Sequence, residues 1–146
     1  MLSTAGLLFA FGKENSEGQL GTGDTLPKVI PTIIEVFRKN GEKVSNVSCG
    51  FKHTICKTSS GKIYSWGGGD CGQLGLGEET QALSPSLVKI DYISSNALLK
   101  ILQIKANYIS SMILLENGKI FYWGSISTNE KVKIPKEFDL GSILEV

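Results

Sequence analysis

Two stretches of the sequence carry residues whose types and spacing could do chemistry. Residues 67–72, GGGDCG, satisfy G-x-G-x-x-G, the spacing of a dinucleotide-binding turn. They follow a strand-like run, KIYSW (62–66), and Asp91 closes the next apolar run, LVKI (87–90), near the distance at which such folds place a ribose-binding acid. The second stretch is GFKHTIC (50–56), which holds His53, the single histidine and a possible proton carrier. No Ser/His/Asp or Cys/His arrangement accompanies it. The three cysteines, Cys49, Cys56 and Cys71, show no C-x-x-C pairing, and one histidine cannot complete a zinc-site spacing. They read as reduced thiols of an intracellular protein.

A phosphate-binding turn needs a helix whose N-terminus faces the anion. After Gly72 come Gly75, Gly77 and then Ser84-Pro85, which would break such a helix. The sequence also repeats itself, and the repeat keeps the wrong part of the motif for a nucleotide site. FAFGKENSEGQLGTGD (9–24) lies over YSWGGGDCGQLGLGEE (64–79), so that Gly18, Gln19, Leu20 and Gly21 match Gly72, Gln73, Leu74 and Gly75. Gly12 matches the aromatic-Gly step of Trp66-Gly67, while G-x-G-x-x-G is lost. The glycines are therefore structural, and no cofactor or metal is expected.

Farther along, residues 44–67 align without gaps on 101–124, setting Gly61 over Gly118 and Trp66-Gly67 over Trp123-Gly124. The units run approximately over 1–43 (entered mid-repeat), 44–100 and 101–142, with 143–146 opening another, in one partial array spanning 1–146. Each reads as short strands and turns with no helix: 54–58 and 62–66 flank Ser-Ser-Gly, and 111–115 and 119–123 flank Glu-Asn-Gly. Residues 44–49 and 101–106 add a strand, and the proline segments around Pro31, Pro85 and Pro135 a peripheral one. Three or four antiparallel strands per roughly 55 residues is the size of a propeller blade. The fold class is all-β, an incomplete β-propeller or part of a larger or multi-chain one.

The combination of aromatic-Gly, Gly-Gln-Leu-Gly-x-Gly, a proline segment and VSCGFKHTICKTSSGKIYSWG (47–67) resembles the repeats of the regulator of chromosome condensation family. The likeness is most specific in 44–90, good in 6–34 and weak in 101–146. It implies a seven-bladed β-propeller and a structural histidine at position 53. The third copy departs from it: Asn107 and Ser110 replace Gly50 and His53, and residues 125–129 replace the Gly-Gln-Leu-Gly turn. A propeller closes with at least four blades, about 200 residues at this repeat length, so the 146 residues read as a fragment or subunit.

On this reading His53 is buried and hydrogen-bonded between strands. Gln19 and Gln73 tie down their loops through their amides, while Leu20 and Leu74 plug the space between blades. Phe11, Trp66 and Trp123 share one packing position. The run 36–43, with Arg38, Lys39 and Lys43, reads as an exposed basic insertion and a candidate contact. Fifteen basic residues against fourteen acidic ones give a net charge of +1, and Arg38 is the only arginine. Nucleic acid and anionic membrane are therefore poor partners. By resemblance, the expected function is a non-enzymatic protein-interaction or scaffold module. The alternatives are part of a guanine-nucleotide exchange factor for a Ran-type small GTPase, associated with chromatin, or a structural subunit of a large assembly.

Overall fold

In this computed structural model, which describes residues 1–96, 98–127 and 130–139, the turns do what their residues allow. Ser-Ser-Gly reverses the chain between β4 (His53–Thr58) and β5 (Ile63–Gly68), and Glu-Asn-Gly does so between β8 (Ser110–Leu115) and β9 (Ile120–Ser127). Gly61 and Gly118 each donate their N–H to a carbonyl three residues back, at 3.0 Å. β3 (Val44–Cys49) and β6 (Gln81–Leu87) complete one four-stranded antiparallel sheet, in the order β3-β4-β5-β6. β7 (Ile101–Ala106) and β10 (Glu130–Glu137) complete a second, in the order β10-β9-β8-β7. A two-stranded sheet of β1 (Phe9–Gly12) and β2 (Lys28–Ile33) precedes them.

The two full sheets are built to one register. His53 faces Gly67 and Thr54 faces Trp66 in one; Ser110 faces Gly124 and Ser111 faces Trp123 in the other. Even the irregularity recurs, between Val44 and Asn46 and again between Ile101 and Gln103. These are propeller blades. They stack face to face, with β7 packed on β3 and β4.

Alternation along β4 and β5 distributes the core. Cys56, Tyr64 and Trp66 face the first sheet and pack with Leu8, Phe37 and Val44. Ile55 and Ile63 face the last sheet and pack with Ile101, Ile104, Ile113 and Leu115. A strand between two blades has no solvent face, which is why all of β5 is buried. On the far side of the last sheet, Met112, Leu114 and Ile120 stay half-buried.

Three expectations need correction. Two short helices interrupt the strands, α1 (Glu35–Lys39) and α2 (Asp91–Ser94). Each lies where the chain leaves an outer strand and crosses to the first strand of the next blade, and a single turn is too short to leave a helical period in the sequence. Accordingly, the run 36–43 is not an insertion, because α2 is its counterpart. Nor is it uniformly exposed: Phe37 is buried, edge-on to Tyr64 with ring centroids 5.2 Å apart. Arg38, Lys39 and Lys43 do face solvent. Finally, Phe11 does not share the packing of Trp66 and Trp123. It is 53% exposed, since no loop of a preceding blade covers it among the described residues. The expected unit opening at 143–146 and residues 128–129 of the departing turn at 125–129 lie outside those residues.

Candidate functional site

Each Gly-Gln-Leu-Gly segment folds as two consecutive turns. Gly18 and Gly21 donate to the carbonyls of Asn15 and Gly18 at 2.9 and 2.8 Å; Gly72 and Gly75 donate to those of Gly69 and Gly72 at 2.8 and 3.0 Å. The glutamine amide oxygen closes the turn by accepting a backbone N–H two residues earlier: Gln19 from Glu17 at 3.0 Å and Gln73 from Cys71 at 2.9 Å. Leu74 is fully buried, whereas Leu20 is half-buried.

These loops hold the next blade. A Cβ on Gly21 would come within 2.5 Å of the Trp66 indole nitrogen, and one on Gly75 within 2.9 Å of the Trp123 indole. Both glycines have positive φ, +72° and +68°, so a side chain would be excluded by backbone and by space alike. Gly18 rests on Leu83 of β6, and Gly72 on the Val132 carbonyl of β10. Beyond the turns, Gly23 donates to Leu83 O and Gly77 to Lys133 O, both at 2.9 Å, so each loop hooks the outer strand of its neighbour. The G-x-G-x-x-G run is filled in the same way. Gly67 lies against the Lys52 carbonyl and Gly69 against that of Glu79. No helix follows Gly72. Gly124 repeats the arrangement, pressed on the Ile109 carbonyl, and Gly12 sits beside Leu20.

The carbonyl inside each loop receives the polar groups of the next blade. Gln19 O accepts the Trp66 indole N–H and the Thr54 hydroxyl, both at 3.0 Å. Gln73 O accepts the Ser111 hydroxyl at 3.0 Å, and Ser111 Oγ lies 2.9 Å from His53 Nε2. Ser111 has one proton, which goes to Gln73, so His53 Nε2 carries the hydrogen of their shared bond. Among the described residues Nδ1 then has no hydrogen-bond partner, and the Trp123 indole N–H has none either. His53 is 1% exposed and packs against Gly50, whose missing Cβ makes room for the ring. Burial pulls the His53 pKa down to about 4, opposed in part by the Ser110 backbone. The imidazole is neutral at pH 7 and buried between the blades. Sequence inspection passed over its partner Ser111, 58 residues away. The available signal was that Thr54 and Ser111, both hydroxylated, align within otherwise apolar strands.

The surface falls into two ends. Arg38, Lys39 and Lys43 lie at the helix end of the blades, where Arg38 pairs with Glu35 at 2.7 Å. The Gly-Gln-Leu-Gly loops and the β3–β4 and β7–β8 turns form the opposite end. There, ion pairs join neighbouring blades: Lys52 to Glu17 at 3.0 Å and Lys133 to Glu78 at 2.6 Å. Phe51 and Tyr108, at the tips of equivalent turns, are exposed and stacked, with ring centroids 4.5 Å apart. The aligned sequences carry this pair too, as aromatics at matching turn positions, and it was overlooked. Among the described residues, no three His, Cys, Asp or Glu side chains gather as metal ligands, and no helix is long and apolar enough to cross a membrane.

Comparison with known proteins gives a consistent picture. The Regulator of chromosome condensation (RCC1) repeat matches residues 5–56 and 60–113, and a second form of it matches 44–73. The X-linked retinitis pigmentosa GTPase regulator of Canis lupus familiaris is 34% identical over an alignment of 141 residues that covers 92% of this chain and 13% of that protein. The crystal structure of human WBSCR16 superposes with a TM-score of 0.79 at 19% identity, covering 99% of this chain and 36% of that one. Prp20p from Saccharomyces cerevisiae, in a study titled for its binding to Gsp1p and histones, superposes with a TM-score of 0.77 at 23% identity, covering 95% and 36%. The chain thus spans a minor part of the length of these proteins. With its joints built from glycine turns, buried carbonyls and indoles, and its repeats matched across most of its length, this chain belongs to the regulator of chromosome condensation repeat family and forms part of a β-propeller.

Proposed function

We propose that the chain is a non-enzymatic, protein-binding segment of a larger propeller, its remaining blades supplied by the same or another polypeptide. One observation carries this reading. The residues that recur from unit to unit spend their space and hydrogen bonds on the neighbouring blade: Gly21 and Gly75 under the indoles, and the Gln19 and Gln73 carbonyls with Thr54, Ser111 and His53. What is left for partners is the exposed turn tips, the usual seat of function on such a scaffold. The half-buried Met112, Leu114 and Ile120 support the expectation of further blades. So do the unpaired cysteines for a reducing, intracellular compartment.

A second reading, part of an exchange factor for a Ran-type small GTPase, is favoured by two similar proteins, one named as a GTPase regulator and one studied for binding to Gsp1p and histones. Release of a fluorescent guanine nucleotide from a Ran-type GTPase separates the two. The expected outcome is no acceleration by substoichiometric full-length parent protein containing this chain; catalytic release would promote the exchange reading. A structural role within a large assembly would instead leave the chain ordered only inside that assembly.

A further inference from the structure

Asn-Gly occurs twice in the sequence, at 40–41 and at 117–118, and every other asparagine precedes a residue with a Cβ. The pair is chemically labile, because no side chain crowds the glycine nitrogen as it closes on the preceding amide carbon. By sequence the two sites are equals. Both asparagines are exposed, and both glycines have positive φ, +67° and +84°, with open space where a Cβ would stand.

The structure separates them. Asn117 lies at the tip of the β8–β9 hairpin with its amide held at both ends. Its Oδ1 accepts the Lys119 N–H at 3.2 Å, and its Nδ2 donates to the Tyr92 hydroxyl at 3.1 Å. Tyr92 is itself anchored, tilted on Phe121 with ring centroids 5.6 Å apart and covered by the Lys119 ammonium at 4.7 Å. The Gly118 N–H is spent on Leu115 O at 3.0 Å. Ring closure at this turn therefore breaks two side-chain bonds as well as the one at the attacking nitrogen. Asn40 ends the single turn of α1, and among the described residues its side chain has no hydrogen-bond partner. The Gly41 N–H reaches Arg38 O only at 3.3 Å, beyond the usual length of such a bond. The Asn40 amide can thus turn onto the Gly41 nitrogen without giving up any bond of its own.

We infer that Asn40 is a modification site that deamidates in the folded chain, while Asn117 keeps its amide. Solvent base removes the Gly41 amide proton, the nitrogen bonds to Asn40 Cγ, and the Cγ–Nδ2 bond breaks. Ammonia leaves with a proton taken from solvent, and water opens the cyclic imide at either carbonyl to give aspartate or isoaspartate. One amide becomes one carboxylate, so the net charge falls from +1 to 0. The new anion stands in the run that holds Arg38, Lys39 and Lys43, so this exposed basic surface exists in two charge forms.

The test is incubation of the folded chain at mildly alkaline pH, with proteolysis, chromatographic separation of the aspartate and isoaspartate peptides, and mass spectrometry. Asn40 should convert about tenfold faster than Asn117, the ratio that two retained hydrogen bonds would set. In urea, where those bonds are gone, the two rates should come together. Tyr92→Phe removes the acceptor of Asn117 Nδ2 and should speed Asn117 about threefold, with Asn40 unchanged. Equal rates in the folded chain, faster loss at Asn117, or an Asn40 preference that persists in urea would overturn the inference. So would an Asn40 that stays an amide in the folded chain over the time in which the unfolded chain converts.

Discussion

The two joints between blades use the same loop and divide its hydrogen bonds differently. At the first, Gln19 O takes two donors, the Trp66 indole and the Thr54 hydroxyl. At the second, Gln73 O takes one, Ser111, which also receives His53, and the Trp123 indole N–H meets no partner among the described residues. The shape of the joint is thus held by glycine contacts and apolar packing, which are common to both. The polar groups are exchangeable fittings within it, and their satisfaction differs from joint to joint. A net hydrogen bond is worth about 1 kcal/mol, so the polar fittings differ between the joints by an amount of that order.

The glycine contacts should dominate. Gly21→Ala forces a Cβ against the Trp66 indole at positive φ, and urea unfolding should show a loss of about 3 kcal/mol. A loss under 1 kcal/mol would mean that the loop does not bear on the indole.

A comparable effect belongs to the second joint alone and depends on pH. The folded-state pKa of His53 is depressed to about 4, against about 6.5 in an unfolded chain. Its contribution is fully present above pH 6.5, because neither state then holds the extra proton. It is lost as pH falls from 6.5 toward 4, where the unfolded chain takes up a proton that the native joint refuses. The loss over that window is about 3 kcal/mol. Stability measured across pH 4–7 should show this slope, and His53→Gln should flatten it; an unchanged slope would assign it to carboxylates.

The smallest effect discriminates the joints most directly. Trp66→Phe removes a hydrogen-bonded indole N–H, whereas Trp123→Phe removes an unpaired one. Both lose similar volume, so Trp66→Phe should be the more destabilising by about 1 kcal/mol. Equal losses would show that Trp123 finds a partner in solution.

Much of the fold was legible because its signals are local. Asn117-Gly118 marks a hairpin by itself, and matching Gly18, Gln19, Leu20 and Gly21 with their later counterparts reveals the repeat without reference to any contact. The helices were not legible, since α1 and α2 exist to span the width of a blade and their few residues carry no period. Phe11 misled because position in a repeat predicts packing only where a neighbouring blade is present to pack against.

The sequence alone determined that the glycines serve turns and that the units are alike, because φ preference and alternation act within a few residues of the chain. Only the tertiary structure decided that Ser111 orients His53, that Gln73 O goes to a hydroxyl while Trp123 goes without, and that Phe51 meets Tyr108. Each of these joins positions dozens of residues apart through a bond a few ångströms long, and such geometry is fixed only when one sheet is laid on another.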